Sequence, residues 1–388
     1  MPSTNVAPTA ATTRLTWQEG DTEHSAPWFA LNQSKLPNRI VVVDDSTTAD
    51  AAFRLACEGV GLLWRGDYQN GRQLLQAIQR RADKRKLKPT DSLVAAFHQY
   101  RMGQAQRARI LGALLLHYSP NFQLNLRRAP DVAAACREAY LDGSEAARHA
   151  EQEGFVAPLR ELQGVIGAHE WRKNGILIAA LEAKIHPHYG VFSPVRGEYC
   201  SLVAQAALPK TCKTAFDIGT GTGVLAAILA HRGVSKVVAT DSESRALHCA
   251  QDNLQQLGLH SKVQVVQQDL FPEGCADLIV CNPPWLPGKP GSNLEHAIYD
   301  HESRMLRGFL QGVKAHLNPQ GQAWLVMSDL AEHIGLRTRA QLLEWIAQAG
   351  LQVIARSEVK PEHPRSKDSS DVLHAARSKE ITSLWQLG

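Results

Sequence analysis

The sequence predicts an α/β domain on a mainly parallel sheet, preceded by a smaller helical domain. Three observations carry this. After Gly154, short β-branched runs alternate with longer amphipathic stretches, the pattern of strands joined by crossover helices. The first complete unit of that pattern is Phe216 to Gly223 followed by the apolar stretch Val224 to Ala230, a strand, a glycine-rich turn and a helix. Before Gly154, apolar residues recur mostly at helical spacing.

A chain of 388 residues fits two domains better than one. With 44% hydrophobic and 21% charged residues it has the composition of a globular protein, which excludes collagen-like, coiled-coil and wholly disordered classes. The longest aliphatic run, Ile110 to Leu116, is far short of the ~20 residues of a membrane span. Residues 1–45 read as a loose tail without the basic start and apolar segment of a signal peptide, so a cytoplasmic location is expected. The 7 cysteines include no CxxC pair, which points to reduced thiols and no metal centre.

Residues 46–150 form the expected helical domain. Three helices are predicted between Asp50 and Leu116. In the second, Leu74, Leu75, Ile78 and Ala82 face a core, with Arg80, Arg81, Lys84 and Arg85 opposite. Asp91 is the expected cap of the third, whose buried stripe is Leu93, Phe97, Tyr100, Ala108, Leu111 and Leu115. A fourth helix is expected over 130–140, with Pro130 in its first turn. Residues Ala51 to Arg128 hold 14 Lys+Arg against 4 Asp+Glu, or +10, whereas Ile176 to Gly388 is balanced at 20 against 20. The front domain is therefore the candidate for substrate recognition, since such a surface attracts phosphates or acidic partners. A solvated helix face has the same composition.

Residues 155–388 form the second domain, with strands predicted at Thr214–Ile218, Lys236–Thr240, Val263–Gln268, Asp277–Cys281, Ala323–Met327, Gln352–Glu358 and Ile381–Trp385. The stretch Lys360 to Lys379 reads as a long loop that joins the last two as a hairpin.

Chemistry concentrates at the ends of four successive strands. Gly219, Gly221 and Gly223 permit a sharp strand-to-helix turn and close approach of a ligand to the main chain. Asp241 ends the next strand, placed to accept both hydroxyls of a ribose, and Asp269 ends the third, placed to accept from an adenine amino group. A strand-end Asp alone is as often a helix cap. The spacing is GxGxG with Val224 in the sixth position, unlike a nicotinamide fingerprint. The fourth strand ends in Asn282, Pro283, Pro284 and Trp285. The prolines stiffen the backbone, Asn282 adds a side-chain acceptor, and Trp285 offers a surface for a planar group. Two acceptors holding the hydrogens of an amide or aromatic amine localise its nitrogen lone pair and aim it, without a titrating base.

The series DIGTGTG, ATDSESRALHCAQDNLQQLGL, QQDLFP and DLIVCNPPWLP resembles the class I S-adenosylmethionine-dependent methyltransferases. It is most similar to the HemK-type protein-glutamine methyltransferases and their small-domain relatives that methylate RNA bases. The resemblance covers roughly the last 235 residues and implies a Rossmann-like, seven-stranded sheet. It further implies that Asp217, Gly219, Thr220, Gly221 and Gly223 hold the methionine part of S-adenosyl-L-methionine, Asp241 the ribose, Asp269 with Leu270 the adenine, and Asn282 to Trp285 the target nitrogen. Where HemK-type enzymes carry a proline, arginine, proline, glutamate run, this chain has Phe192 to Glu198, and it ends the tetrapeptide in Trp285 where they have tyrosine. Both positions border the substrate, with Phe192, Arg196 and Glu198 as candidate contacts. The implied partner is a macromolecule, either RNA or DNA or a protein of the translation apparatus. A small-metabolite methyltransferase and a binding module without turnover are the rival readings.

Overall fold

The computed structural model describes residues 13–32, 34–84, 89–194, 197–292, 294–361 and 371–388. They divide into two compact units, one of the described residues up to 84 and within 104–166, the other of those within 89–103 and 167–388.

The first unit contains β1 (Arg14–Glu19), β2 (Thr22–Pro27), β3 (Arg39–Val43), α1 (Ala49–Cys57), β4 (Val60–Trp64) and α2 (Tyr68–Asp83). After α3 (Leu93–Leu111) it continues with β5 (Leu114–Tyr118), α4 (Ala133–Tyr140), α5 (Glu145–Glu153), β6 (Phe155–Pro158) and the start of α6 (Leu159–Asn174). Its sheet runs β3-β4-β5-β6, with β3, β4 and β5 parallel and β6 antiparallel to β5. This corrects the expected helical domain behind a loose tail: from residue 13 onward the segment is α/β. All five residues of β4 are buried, and such a doubly covered parallel strand has no alternation to separate it from a helix. In the supposed tail, Leu15 and Trp17 alternate with exposed neighbours in a hairpin that turns at Gly20.

Two helix details also differ from expectation. Ser92, not Asp91, caps α3, its hydroxyl accepting from the Ala95 N–H. Helix α4 starts at Ala133, after a turn in which Asp131 accepts from the Ala133 N–H, so Pro130 lies outside it. Leu74, Leu75 and Ile78 of α2 are buried as expected and Arg80 and Lys84 are exposed, while Arg81 pairs with Asp50. Arg85 lies outside the described residues.

The second unit continues from α6 with β7 (Ile176–Ile178), β8 (Ala183–Ile185), α7 (Glu198–Gln205), β9 (Thr214–Ile218), α8 (Val224–His231), β10 (Lys236–Asp241), α9 (Ser244–Gln256), β11 (Val263–Gln267) and β12 (Ala276–Cys281). It goes on through β13 (Leu286–Pro287), β14 (Tyr299–Asp300), α10 (Arg304–Val313), β15 (Leu317–Ser328), α11 (Leu330–Ile334), α12 (Arg339–Gln348), β16 (Val353–Val359), α13 (His374–Arg377) and β17 (Thr382–Leu387). The order of the main sheet is β11-β10-β9-β12-β15-β17-β16. Strands β11, β10, β9, β12 and β15 are parallel, and β17 runs antiparallel to both neighbours. All seven predicted strands are present, and two apolar cores cover the sheet's faces. Strand order reverses between β9 and β12, and the crevice beyond the carboxyl ends at such a switch point is where open α/β sheets bind ligands. Among the described residues no helix is long and apolar enough to cross a membrane, and all seven cysteines are free thiols.

Candidate functional site

Gly219, Gly221 and Gly223, all at positive φ, carry the chain from β9 into α8. The Gly219 and Thr220 N–H groups donate to the Thr240 carbonyl on β10, at 2.9 and 2.8 Å. Each glycine has its own reason. A Cβ on Gly223 would stand 3.2 Å from the Ala250 backbone, and one on Gly219 would strike the Met305 methyl, whereas one on Gly221 would meet nothing within 4 Å. The face of the loop at Gly221 is therefore open.

Asp217 sits behind the loop at 1% exposure. Its Oδ2 accepts from the Thr220 hydroxyl at 2.6 Å and from the Ala226 N–H at 3.0 Å, fixing loop and helix to the strand. Burial pushes its pKa up to about 6, the two hydrogen bonds oppose the shift, and nearby Asp241 adds to it. Protonation at Asp217 thus favours the folded form between the ordinary 3.8 and about 6, so this group's contribution to stability falls as pH rises through that window. Asp217→Asn, which keeps an acceptor and removes the charge, is expected to gain stability over wild type at pH 7.5 and to lose that advantage near pH 4. Thermal unfolding at the two pH values checks this; a gap that does not change would show that Asp217 is not a buried charge.

Asp241 ends β10. Its Oδ2 accepts from the Gly221 N–H and its Oδ1 from the Glu243 N–H, both at 3.0 Å, and burial raises its pKa. It is thus a brace for the loop, and carboxylate oxygens have lone pairs to spare for hydroxyl donors. Asp269 is exposed and pairs with Arg304 on α10. Leu270 next to it adopts φ +69, and its carbonyl accepts from the Thr240 hydroxyl at 2.6 Å. Gly308 of α10 leaves the room that the Leu270 side chain occupies. The open loop face, Asp241 and Asp269 together fit a nucleoside carrying a cationic chain.

At the end of β12, Asn282 is half-buried and its Oδ1 accepts from the Trp285 indole N–H at 2.9 Å. Pro283 is buried, and the Trp285 ring packs against the cores on both faces of the sheet. The indole therefore anchors the tetrapeptide and orients the Asn282 amide. Glu198 opens α7, and the adjoining Tyr199 and Cys200 lie within electrostatic range of Asp217. Phe192 is half-buried on the approach to α7, and Arg196 lies outside the described residues.

Residues 182–349 match the family described as "Methyltransferase small domain". That match covers less than half of the chain and includes the glycine loop, Asp241, Asp269 and the Asn282 to Trp285 tetrapeptide. Among curated relatives, it is 46% identical over 71 residues to the "Ribosomal protein L11 methyltransferase" of Pelotomaculum thermopropionicum, covering 18% of this chain and 23% of that one. It is 31% identical over 188 residues to the "Release factor glutamine methyltransferase" of Cereibacter sphaeroides, covering 45% and 62%. With the "tRNA1(Val) (adenine(37)-N6)-methyltransferase" of Glaesserella parasuis the identity is 36% over 88 residues, covering 22% and 37%. The matched region spans less than two thirds of each relative's length.

The matched region also uses residues that no motif announces. Asn253 on α9, 1% exposed, donates to the Thr222 carbonyl at 3.0 Å and accepts from the His186 N–H at 2.7 Å, tying the glycine loop to the segment after β8. Buried Asp300 accepts from the Met305 and Leu306 N–H groups, both at 3.1 Å, and so holds the first turn of α10 with Met305 against Gly219. Glu302 and Ser303 just before it both adopt positive φ, a strained entry that these bonds hold in place.

Proposed function

We propose that the protein is an S-adenosylmethionine-dependent N-methyltransferase whose target is a planar nitrogen in the translation apparatus, either a protein glutamine amide or an exocyclic amine of a nucleic-acid base. The observation that carries this reading is the neighbourhood of two half-sites at one switch point: the open, carboxylate-braced glycine loop after β9, and the Asn282 amide fixed by Trp285 after the adjacent β12. The relatives' names, which include both a glutamine and an adenine-N6 methyltransferase, agree with a shared nitrogen chemistry.

Gly219 to Gly223 and Asp241 would hold the methionine and ribose portions of the cofactor, Asp217 fixing the loop from behind rather than touching the ligand, and Asp269 with Leu270 would receive the adenine. S-adenosylmethionine supplies an electrophilic methyl group there. Asn282 Oδ1 and the Pro283 carbonyl accept the hydrogens of the target NH₂, which localises the nitrogen lone pair and aims it at the incoming carbon. Phe192 and Glu198 border the target, and Trp285 keeps the Asn282 acceptor aimed. No side-chain base is required, since the product ammonium or amidium loses its proton readily to water.

The test is transfer of a labelled methyl group from S-adenosylmethionine to protein and RNA fractions of cells lacking the gene, followed by mass spectrometry of the labelled species. Label on nitrogen is expected. Label on carbon or oxygen, or no transfer to either fraction, would remove the reading.

A further inference from the structure

We propose that Arg337 is an anion-binding residue at the mouth of this site and takes a phosphate group of a nucleic-acid substrate. Arg337 lies in the turn between α11 and α12 and is only 3% exposed. Its Nε and Nη2 are both buried and both lack a hydrogen-bond partner. Those two N–H groups form one edge of the guanidinium, the fork whose spacing matches two oxygens of a phosphate or carboxylate.

The carboxylates that act electrostatically on Arg337, Glu332 and Asp300, are committed elsewhere. Both Glu332 oxygens accept from Arg339 Nε, at 2.9 and 2.8 Å. Both Asp300 oxygens accept from the first turn of α10. Neither carboxylate gives an oxygen to Arg337, so its Nε and Nη2 are buried without a hydrogen-bonded anion, an unfavourable state for a charged group. Such a cost is kept where an external partner supplies the missing charge.

Position agrees with that role. Helix α11 follows the carboxyl end of β15, the strand that pairs with β12. Ile334 and Leu336, just before Arg337, share a small apolar core with Leu286, the residue after the Asn282 to Trp285 tetrapeptide. The three-methylene stem of arginine lets the fork turn to meet an anion at this edge. Phosphate is favoured over carboxylate because the chain's +10 segment, Ala51 to Arg128, complements a polyanion. Only this last step rests on the N-methyltransferase reading.

The full chain and its Arg337→Met and Arg337→Lys variants are compared by thermal unfolding in phosphate-free buffer and in rising inorganic phosphate. Wild type is expected to be stabilised by phosphate. Arg337→Met is expected to unfold at a higher temperature than wild type without phosphate, and its apparent phosphate affinity to fall tenfold or more, with Arg337→Lys between the two. If Arg337→Met unfolds at a lower temperature in phosphate-free buffer, the arginine is already paired and the proposal fails. An equal phosphate response in all three means an adventitious ion only, and also overturns it. Should the methionine variant not fold, the lysine variant decides by the same phosphate response. Single-stranded oligouridylate should then lose at least fivefold in affinity with Arg337→Met while polyglutamate is unaffected, and the reverse would overturn the assignment to phosphate. Binding of S-adenosylhomocysteine, measured on the same samples, reports on the cofactor reading separately.

Discussion

Asn282→Ala is expected to slow methyl transfer on the order of 10²- to 10³-fold, the usual cost of losing one preorganised polar group that acts in the transition state. Cofactor affinity should change little, because Asn282 follows β12 whereas Gly219 to Gly223 and Asp241 follow β9 and β10. The substitution also frees the Trp285 indole N–H from its 2.9 Å bond, so Trp285→Phe is the informative companion. It keeps an aromatic ring and the Asn282 carbonyl but loses the bond that aims it, together with part of the ring that packs on the cores, and a smaller loss of rate is expected. The rate should be nearly flat from pH 7 to 9. Asp217, pushed up to about 6, has lost its proton below that window, and burial places the Cys281 thiol well above it. Single-turnover transfer to the identified substrate, with calorimetry of S-adenosylhomocysteine alongside, checks both halves. A variant that transfers at the wild-type rate would remove Asn282 from the mechanism.

Much of this geometry could be read from the sequence because β9, β10, β11 and β12 are short, largely apolar runs, each ending at or just before a distinctive residue: Gly219, Asp241, Asp269 and Asn282. Parallel pairing then gathers those stops along one edge. What could not be read was contact between distant segments. Asn253 looks like any polar residue in an amphipathic helix, yet its amide joins Thr222 to His186. Arg304 looks like a surface charge until topology sets α10 beside Asp269. The front unit failed for a different reason. Leu111 to Leu116 satisfies helical spacing, but Gly112 ends α3 and the following leucines pair with Leu62 and Leu63 as a buried strand. Its basic charge was correctly counted but wrongly placed on helices alone.

Gly221→Val is expected to abolish measurable cofactor binding while leaving the chain folded. At φ +55 a β-branched residue sits in the left-handed region at a cost of roughly 1–2 kcal/mol, which a domain of ordinary stability tolerates. Apart from that strain, an added Cβ at this position meets no atom within 4 Å. The valine therefore projects into the open face of the loop, the space the proposed cofactor occupies, and excludes it sterically. Gly223→Val provides the contrast. There φ is +80 and the added Cβ stands 3.2 Å from the Ala250 backbone, so the damage should fall on α8 and α9 packing and appear as lost stability. Calorimetry with S-adenosylhomocysteine and thermal unfolding on both variants separate the two effects. Near-wild-type affinity in Gly221→Val would place the cofactor elsewhere, since no relaxation of the protein can clear a side chain from a space the ligand must fill.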